Sequence, residues 1–237
     1  MATLALTALI SSNPGHAFAS GGFSPDVTSV NQASHSLWIN AWIAAGVVGV
    51  FTAILILWPV FFHRKKDNAF PKQTQYNVPV EVAYTVIPFI IVGVLFFYTA
   101  RAESKITHLD KGTPAHSIHV NGIQWSWQFT YDDAASKPTV TGTPDQPPVL
   151  VVPLGEKVRY TLTSNDVVHG FWIPEFMFQM QTIPGVENHV EFTANKLGEW
   201  PGRCNILCGR AHSQMLFTVK VVTPAEYQNY INSLKVA

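Results

Sequence analysis

Cysteine and net charge are both scarce in this sequence. The 237 residues include only two cysteines, Cys204 and Cys208, and the formal net charge is zero. A chain without excess positive charge has no global electrostatic field that attracts a polyanion. We therefore expect no nucleic-acid partner.

Charge is missing altogether from two long apolar runs. No charged side chain occurs in residues 36–62 or in residues 82–100. As a helix, each run is long enough to cross roughly 30 Å of hydrocarbon. Neither run has the polar face that a soluble helix of that length would present to water. The sequence therefore predicts two transmembrane helices, over residues 37–62 and 80–101.

The segment between these helices, residues 63–79, predicts the orientation of the chain. It carries four basic residues against one acidic residue, namely Arg64, Lys65, Lys66 and Lys72 against Asp67. Residues 20–36, ahead of the first helix, contain no lysine or arginine. By the positive-inside rule, the segment between the helices is cytoplasmic. We expect residues 20–36 and everything after the second helix to lie on the extracytoplasmic side of the plasma membrane of a bacterium.

A basic region is also missing at the N-terminus. Residues 1–19 are largely apolar and end in Ala17-Phe18-Ala19. A small-x-small pattern of this kind is typical of a signal-peptide cleavage site. Two interpretations stay open: residues 1–19 are a signal peptide, or they are a terminus that the mature chain retains.

Residues 106–222 have a different pattern, in which apolar and polar residues alternate. Stretches such as SIHVNGIQWSWQFTY and QMLFTVKVVTP are separated by glycine, proline, asparagine and aspartate. This spacing predicts an antiparallel sandwich of Greek-key type. Because no helical crossover pattern separates the strands, we do not expect parallel pairing. Residues 223–237 predict a tail helix that starts at Pro224. The predicted fold class is a two-helix transmembrane hairpin followed by an all-β sandwich domain.

Both cysteines lie in one short stretch, CNILCGRAHSQM, which also contains His212 and Met215. Another histidine, His169, ends a predicted strand upstream. Two thiols four residues apart can form a disulfide outside the cytoplasm, and zinc would take nitrogen, sulfur or oxygen ligands without a methionine. The methionine thioether instead favours a soft, redox-active metal, as in copper electron-transfer sites. Two thiolates can also bridge a pair of copper ions.

The chain resembles the cytochrome c oxidase subunit 2 family along nearly its whole length. The resemblance rests on the two-helix hairpin and on the segments NGIQWSWQFTY, NDVVHGFWIP, TIPG and GRCNILCGRAHSQM. It implies that the outer domain is a cupredoxin fold that holds a dinuclear copper A centre. The implied copper ligands are His169, Cys204, the backbone carbonyl of Ile206, Cys208, His212 and Met215.

The resemblance also implies a function and a set of partners. Members of this family accept electrons from cytochrome c and pass them to the haem and the haem–copper site of subunit 1, where oxygen is reduced to water and protons are pumped. The implied partners are oxidase subunits 1 and 3, membrane lipid, and either soluble cytochrome c or a cytochrome c domain of a reductase supercomplex. Few acidic residues are available to dock a cationic donor, which favours a permanently held one. They are Asp132, Asp133, Asp145 and Asp166.

Two further residues take roles from the same resemblance. Trp125 corresponds to the aromatic residue that receives the electron from cytochrome c, although a W-x-W pattern also fits two core aromatics. Trp127 is assigned to packing. Glu81, seven residues before Pro88, corresponds to the mouth of a proton pathway into subunit 1. The alternative for Glu81 is a carboxylate that merely favours the start of a helix.

One part of the family pattern is absent. The family has a glutamate between the cysteines whose carboxylate binds a magnesium ion at the boundary with subunit 1, and here that residue is Ile206. A neighbouring aspartate and arginine of the family are replaced by Gln181 and Val186. Because magnesium requires oxygen ligands, we expect the intersubunit magnesium to be weakly held or absent. The carbonyl of Ile206 can still bind copper.

Three other functions share parts of this pattern. A membrane-anchored copper-binding or delivery protein would have similar ligands, but it leaves the two-helix anchor and the tryptophans unexplained. A quinol oxidase subunit keeps the fold but lacks the copper ligands. A copper A subunit of another terminal reductase is the third alternative.

Overall fold

The computed structural model describes residues 22–64, residue 70 and residues 73–234. The predicted signal peptide lies outside these ranges. So do four of the charged residues that predict the orientation, namely Lys65, Lys66, Asp67 and Lys72. The chain divides into two compact units. One is Ser36–Ala102, and the other combines Met1–His35 with Glu103–Ala237.

Two long helices confirm the predicted apolar pair. Helix α1 is Asn31–Phe62 and helix α2 is Val78–Ile106. Both are long and apolar enough to cross a membrane, and their large apolar side chains are exposed rather than packed inside the protein. Such a helix, apolar on every face, is typical of a segment that contacts lipid. Helix α2 continues past the apolar run into Arg101 and Lys105, because helical hydrogen bonding does not require apolar side chains.

Ten strands in the described residues form a two-sheet sandwich, which confirms the predicted all-β domain. They are β1 (His116–Ile123), β2 (Ser126–Tyr131), β3 (Thr139–Thr141), β4 (Val149–Pro153), β5 (Lys157–Ser164), β6 (His169–Ile173), β7 (Phe178–Thr182), β8 (Asn188–Thr193), β9 (Gly198–Cys204) and β10 (Leu216–Val222). The first sheet has the order β3-β2-β1-β5-β8, and the second has the order β4-β10-β9-β6-β7.

The expectation of purely antiparallel pairing was wrong for two strand pairs. Strands β1 and β5 are parallel, as are β4 and β10. In both pairs the chain passes through the opposite sheet before it returns, so the partners are not consecutive in sequence. A crossover through the opposite sheet can replace the helix that usually joins parallel strands. The period-two pattern identifies strands, but it does not specify the direction of such non-consecutive neighbours.

Aromatic side chains fill the space between the two sheets. Trp127 from the first sheet and Phe171 and Phe217 from the second are all buried. The rings of Phe171 and Phe217 are stacked at 4.8 Å, and Trp127 meets both edge-on at 5.4 and 5.5 Å. Aromatic pairs in these geometries add to the stabilisation from burial. Trp127 is therefore a core residue, as predicted.

The tail helix α3, Pro224–Leu234, begins with a reciprocal cap and packs on the sandwich. The Thr223 hydroxyl accepts the Glu226 N–H at 3.3 Å, and the Glu226 carboxylate accepts the Thr223 N–H at 2.9 Å. This is a capping box, which satisfies two otherwise unpaired donors at the start of the helix. Tyr227 is buried, and its hydroxyl donates to the Asp133 carboxylate at 2.8 Å.

The segment ahead of α1 docks on the same domain. Val27 and Val30 are buried. The Ser29 N–H donates to the Thr193 carbonyl at 3.0 Å, and the Thr193 N–H donates to the Ser29 hydroxyl at 3.0 Å. The segment thus pairs with the end of β8, a contact that no pattern in the sequence predicted.

Candidate metal centre

Two paired strands bring the distant histidine to the cysteine loop. His169 is the first residue of β6, and Cys204 is the last residue of β9. These strands are antiparallel, with Phe171 opposite Cys204. Because of this register, the start of β6 lies beside the loop that follows β9. The Gly170 N–H donates to the Cys204 sulfur at 3.5 Å.

The chain after Cys204 folds back so that the remaining predicted ligands face the same point. A 3-10 turn, His212–Gln214, precedes Met215. The Cys204 N–H donates to the Met215 carbonyl at 3.0 Å, and the Met215 N–H donates to the His212 carbonyl at 3.3 Å. These backbone bonds close the loop, so its two ends are adjacent.

The ligand atoms form a compact cluster around the two sulfurs. The Cys204 Sγ and Cys208 Sγ atoms are 3.8 Å apart, and the Cys204 thiol donates to the Ile206 carbonyl oxygen at 3.2 Å. The Cys208 Sγ lies 3.5 Å from His212 Nδ1 and 3.8 Å from Met215 Sδ. A sulfur separation of 3.8 Å is far beyond the roughly 2.05 Å of a disulfide bond. Both cysteines are therefore separate thiols.

His169 supplies the strongest sign that the cluster is suited to bind a metal. Ligand atoms of His169, Cys204 and Cys208 lie within 4.8 Å of one another. The ring of His169 is fully buried, and its Nε2 lies 2.8 Å from Asp166 Oδ1. Its Nδ1 is buried and has no hydrogen-bond partner among the described residues. Native proteins rarely leave a buried polar atom unsatisfied. A carboxylate on one ring nitrogen and a metal on the other is the usual arrangement of a histidine ligand.

The two thiols have opposite tendencies to ionise. Burial disfavours the Cys204 thiolate, but the nearby imidazole of His169 and the Gly170 N–H outweigh burial and hold the pKa of Cys204 below its ordinary value. Burial, followed by the negative charge on Cys204, raises the pKa of Cys208 above its ordinary value. Nearby cations are therefore needed to keep both sulfurs ionised. Soft metal ions can fill this role because they bind thiolates.

The donor set fits a copper pair. It combines two thiolates, two imidazoles, one thioether and one carbonyl, and the thioether disfavours zinc. Of its members, Cys204, Cys208, His169 and Met215 are all buried. Burial excludes water from the sulfurs, which protects thiolates from oxidation and keeps the ligands in one arrangement.

The other two predicted site residues, Trp125 and Glu81, lie in different units of the chain. Trp125 is half-buried beside the cluster, and its indole N–H donates to the Cys208 carbonyl oxygen at 3.3 Å. Glu81 lies in the other unit, in the first turn of α2, where its carboxylate accepts the Asn77 N–H at 3.0 Å. This bond matches the structural interpretation of Glu81 and leaves the proton-pathway role as a prediction.

Two residues of the site were not assigned to it from the sequence. Asp166 was considered only as a docking acid, yet it holds the ring of His169. Its position three residues before a predicted histidine ligand could have suggested this contact. Gln124 donates from its side-chain amide to the Cys208 carbonyl at 2.7 Å. Nothing in the pattern around Gln124 could have predicted that bond.

A pocket of about 380 Å³ lies next to the cluster and contains two of the three departures from the family pattern. Its lining residues are Gly170, Gln179, Met180, Gln181, Asn205 and Ile206. The lining includes amide groups but no carboxylate. Val186, the third departure, is not among the lining residues and is 44% exposed.

Comparisons with known proteins agree with this geometry. A sequence profile of the family described as "Cytochrome C oxidase subunit II, periplasmic domain" matches residues 144–222. The chain is 39% identical to "Probable cytochrome c oxidase subunit 2" of Streptomyces coelicolor, over 84% of this chain and 74% of that one. It is 33% identical to "Cytochrome c oxidase subunit 2" of Mycobacterium tuberculosis, over 89% and 74% of the two chains.

Among solved structures, the periplasmic domain of subunit II of cytochrome oxidase from Bradyrhizobium japonicum is 30% identical, with a TM-score of 0.48. The match covers 52% of this chain and 96% of that one. The ligand spacing, the sandwich fold and the extent of the similarity to curated relatives agree: the chain belongs to the cytochrome c oxidase subunit 2 family.

Proposed function

We propose that the chain is the electron-accepting subunit of a respiratory cytochrome c oxidase in the plasma membrane of a bacterium. It takes electrons from cytochrome c and passes them to the haem and haem–copper site of subunit 1. The observation that carries the proposal is the buried cluster beside Trp125, in which ligand atoms of His169, Cys204 and Cys208 lie within 4.8 Å of one another and His169 Nδ1 is buried without a hydrogen-bond partner. The experiment that tests it is copper loading of the full-length chain, read by copper content and by electron paramagnetic resonance.

The cluster would hold a dinuclear copper A centre. Its ligands would be His169, Cys204, the carbonyl of Ile206, Cys208, His212 and Met215. When bound, such a copper pair supplies a one-electron carrier whose bond lengths change little on reduction. The protein contributes the fixed positions of the ligands. Asp166 holds the His169 ring through Nε2, and the Gly170 N–H supports the Cys204 sulfur.

Trp125 would receive the electron from the donor. Its ring is partly exposed, so a partner can contact it, while its indole N–H reaches the backbone of the ligand Cys208. One side chain therefore connects the protein surface with the ligand cluster. Trp127 cannot do this because it is fully buried.

Acidic residues would contribute little to binding of the electron donor. Three of the four candidate aspartates are paired within the domain: Asp132 with Lys137, Asp133 with His116, and Asp166 with His169. Charges that are already paired attract a cationic partner weakly, so electrostatic steering contributes little to the association rate. This supports a cytochrome c domain held in a reductase supercomplex over a freely diffusing cytochrome c.

Oxygen reduction and proton pumping would take place in partner subunits. The two apolar runs of this chain contain no histidine, so they offer no imidazole ligand for a haem within the membrane. The haems and the second copper therefore belong to subunit 1, and subunit 3 completes the complex. The chain is part of an oxidoreductase and contributes electron transfer to it.

A membrane-anchored copper delivery protein is the main alternative. Such a protein has to release its metal, which requires accessible ligands. Here the two cysteines are 2% and 5% exposed, and His169 and Met215 are fully buried. Burial of this degree favours a resident metal over a transferred one.

We propose that Glu81 is the mouth of a proton pathway into subunit 1. Glu81→Gln is expected to slow proton uptake during reduction of the catalytic site roughly tenfold or more, because an amide cannot carry a proton between water and the pathway. The amide oxygen can still accept the Asn77 N–H, so the start of α2 should persist. The measurement is stopped-flow haem reduction in the assembled oxidase as a function of pH. Glu103→Gln, in the same helix, is the control, and unaltered kinetics of Glu81→Gln across the pH range would reject the role.

We also propose that the intersubunit magnesium is weakly held or absent. The pocket beside the copper ligands has Ile206 and Gln181 where the family pattern has carboxylates. Neutral amides are poor substitutes for carboxylates at a magnesium site. Cells grown with manganese should therefore yield an oxidase without a tightly bound, stoichiometric manganese signal, although copper binding is intact.

The variant Ile206→Glu should create the missing cation site. A carboxylate in this pocket would supply the hard oxygen ligand, and the backbone carbonyl at the same position would still face Cys204. The expected result is a bound six-line manganese signal in Ile206→Glu and none in the neutral control Ile206→Gln. A stoichiometric manganese ion in the unmodified oxidase would contradict the proposal.

A further inference from the structure

We propose that Gln124 is a positioning residue for electron uptake, which holds the Trp125 indole against the backbone of Cys208. The inference rests on the proposed roles of Trp125 as electron acceptor and of Cys208 as copper ligand. Gln124 itself is assigned no contact with copper. Its role is to keep two neighbouring groups at a fixed separation.

The first observation is that two donors converge on one oxygen atom. The Gln124 side-chain amide donates to the Cys208 carbonyl at 2.7 Å, and the Trp125 indole N–H donates to the same oxygen at 3.3 Å. A backbone carbonyl has two lone pairs, so both bonds can form at once. The shorter bond is the one from Gln124, which makes it the stronger constraint on where the carbonyl sits.

The second observation is that Gln124 is held at its backbone as well. Its N–H donates to Asp166 Oδ2 at 2.7 Å, while Asp166 Oδ1 lies 2.8 Å from Nε2 of His169. Gln124 and Trp125 form the two-residue link between β1 and β2, whose end residues Ile123 and Ser126 are paired. The link is therefore fixed to one copper ligand through Asp166 and to another through the Cys208 carbonyl.

The third observation concerns Gly209, which follows Cys208. A Cβ atom at this position would lie 2.9 Å from Trp125 Nε1 and 3.2 Å from Gln124 Nε2, closer than real Cβ atoms normally approach. Its φ of +130° also disfavours any residue with a side chain. Because Gly209 has no side chain, the Gln124 amide and the Trp125 indole can both approach the Cys208 carbonyl closely.

These contacts matter because electron transfer between two groups slows steeply as their separation grows. Without Gln124, the Trp125 indole would hold the Cys208 carbonyl through its single, longer bond. The partly exposed ring could then move away from the ligand loop. Electron transfer from Trp125 to the ligand cluster would then be slower.

The test compares Gln124→Ala with Gln128→Ala in the assembled oxidase. Gln128 lies in the adjacent strand β2, and its amide donates to Thr141 at 3.0 Å, so it offers the same chemistry away from Cys208. Gln124→Ala is expected to slow electron uptake from reduced cytochrome c roughly tenfold or more. Copper content and the electron paramagnetic resonance spectrum should stay unchanged. Gln128→Ala should behave as the unmodified protein, and Gln124→Glu, which cannot donate to a carbonyl, should be as slow as Gln124→Ala.

A second readout does not depend on electron transfer. In the full-length chain labelled with carbonyl-13C cysteine, only Cys204 and Cys208 carry the label. Loss of the bond from Gln124 should shift the Cys208 carbonyl band to higher frequency in the infrared difference spectrum. Gln128→Ala should leave this band in place. Unlabelled carbonyls elsewhere in the domain do not contribute to it.

The outcomes separate this inference from the proposed function. If Trp125→Phe slows uptake and Gln124→Ala does not, the role of Gln124 is wrong and the proposed function stands. Loss of copper from Gln124→Ala would make the residue a structural support of the metal site and would also overturn the inference. If Trp125→Phe itself leaves uptake normal, the electron-accepting role of Trp125 fails, and the role of Gln124 fails with it.

Discussion

The full-length chain loaded with copper is expected to bind about two copper ions and to give a seven-line hyperfine pattern in electron paramagnetic resonance. The reason is the arrangement of ligands around two sulfurs that are 3.8 Å apart. Two thiolates at this separation can bridge two metal ions, and an unpaired electron shared equally by two copper nuclei gives seven lines instead of four. A four-line, mononuclear spectrum from the unmodified chain would contradict the dinuclear assignment.

The variant with the largest expected effect on this centre is Cys208→Ser. The Cys208 sulfur contacts Cys204, His212 and Met215, so its loss removes the atom that connects both halves of the ligand set. A serine hydroxyl is a hard, poorly ionised donor and does not replace a bridging thiolate. We expect copper content to fall to about one ion per chain or less, the seven-line pattern to disappear, and oxidation of cytochrome c to fall to background.

Leu207→Ala is the matched control for this variant. Leu207 lies in the same loop between the two cysteines, but its side chain is 81% exposed. Its truncation should leave copper content and the spectrum unchanged. A seven-line spectrum in Cys208→Ser would show that the bridging role belongs to another atom.

Trp125→Phe is expected to slow electron uptake from reduced cytochrome c roughly tenfold or more, with no change in the copper spectrum. Phenylalanine is smaller and has no N–H, so the hydrogen bond between the partly exposed ring and the Cys208 carbonyl is lost. The ligand atoms themselves do not include Trp125, which is why the spectrum should persist. The measurement is stopped-flow oxidation of the native donor by the assembled oxidase.

The control for this prediction is Trp200→Phe. Trp200 lies on β9 and packs against Phe176, with ring centroids 5.5 Å apart, so it shares the domain but not the contact with Cys208. Its replacement should leave electron uptake normal. Normal turnover of Trp125→Phe would move the electron-accepting role to another residue. Trp127 and Tyr131 are poor substitutes because both are fully buried.

Periodicity predicted the kinds of element in this fold more reliably than their arrangement. The two apolar runs became α1 and α2, and the alternating stretches became strands of a sandwich. The pairing of β1 with β5 and of β4 with β10 turned out parallel, against expectation. Alternation depends only on which residues face the core, and a strand shows the same alternation in either direction. Which strands are neighbours, and whether they run parallel or antiparallel, depends on how the chain crosses between the sheets.

Ligand spacing predicted the candidate metal centre because its members are chemically distinctive. Cys204, Cys208, His212 and Met215 lie within one short loop, so their proximity follows from the sequence alone. His169 is distant in sequence; its place at the end of a predicted strand made it a candidate, and the family resemblance then included it in the ligand set. The register of β6 against β9 is what brings it to the loop.

The sequence by itself therefore determined the apolar helices, the sandwich and the soft donor set, because each of these depends on side-chain chemistry at local spacings. Only the tertiary structure decided that Gln124 and Trp125 share the Cys208 carbonyl and that Val27 and Val30 pack on the domain ahead of α1. These contacts join residues far apart in the chain, or join side chains to backbone atoms that every residue possesses. A backbone carbonyl has no sequence signature, so its partners can be known only once the fold has placed them beside it.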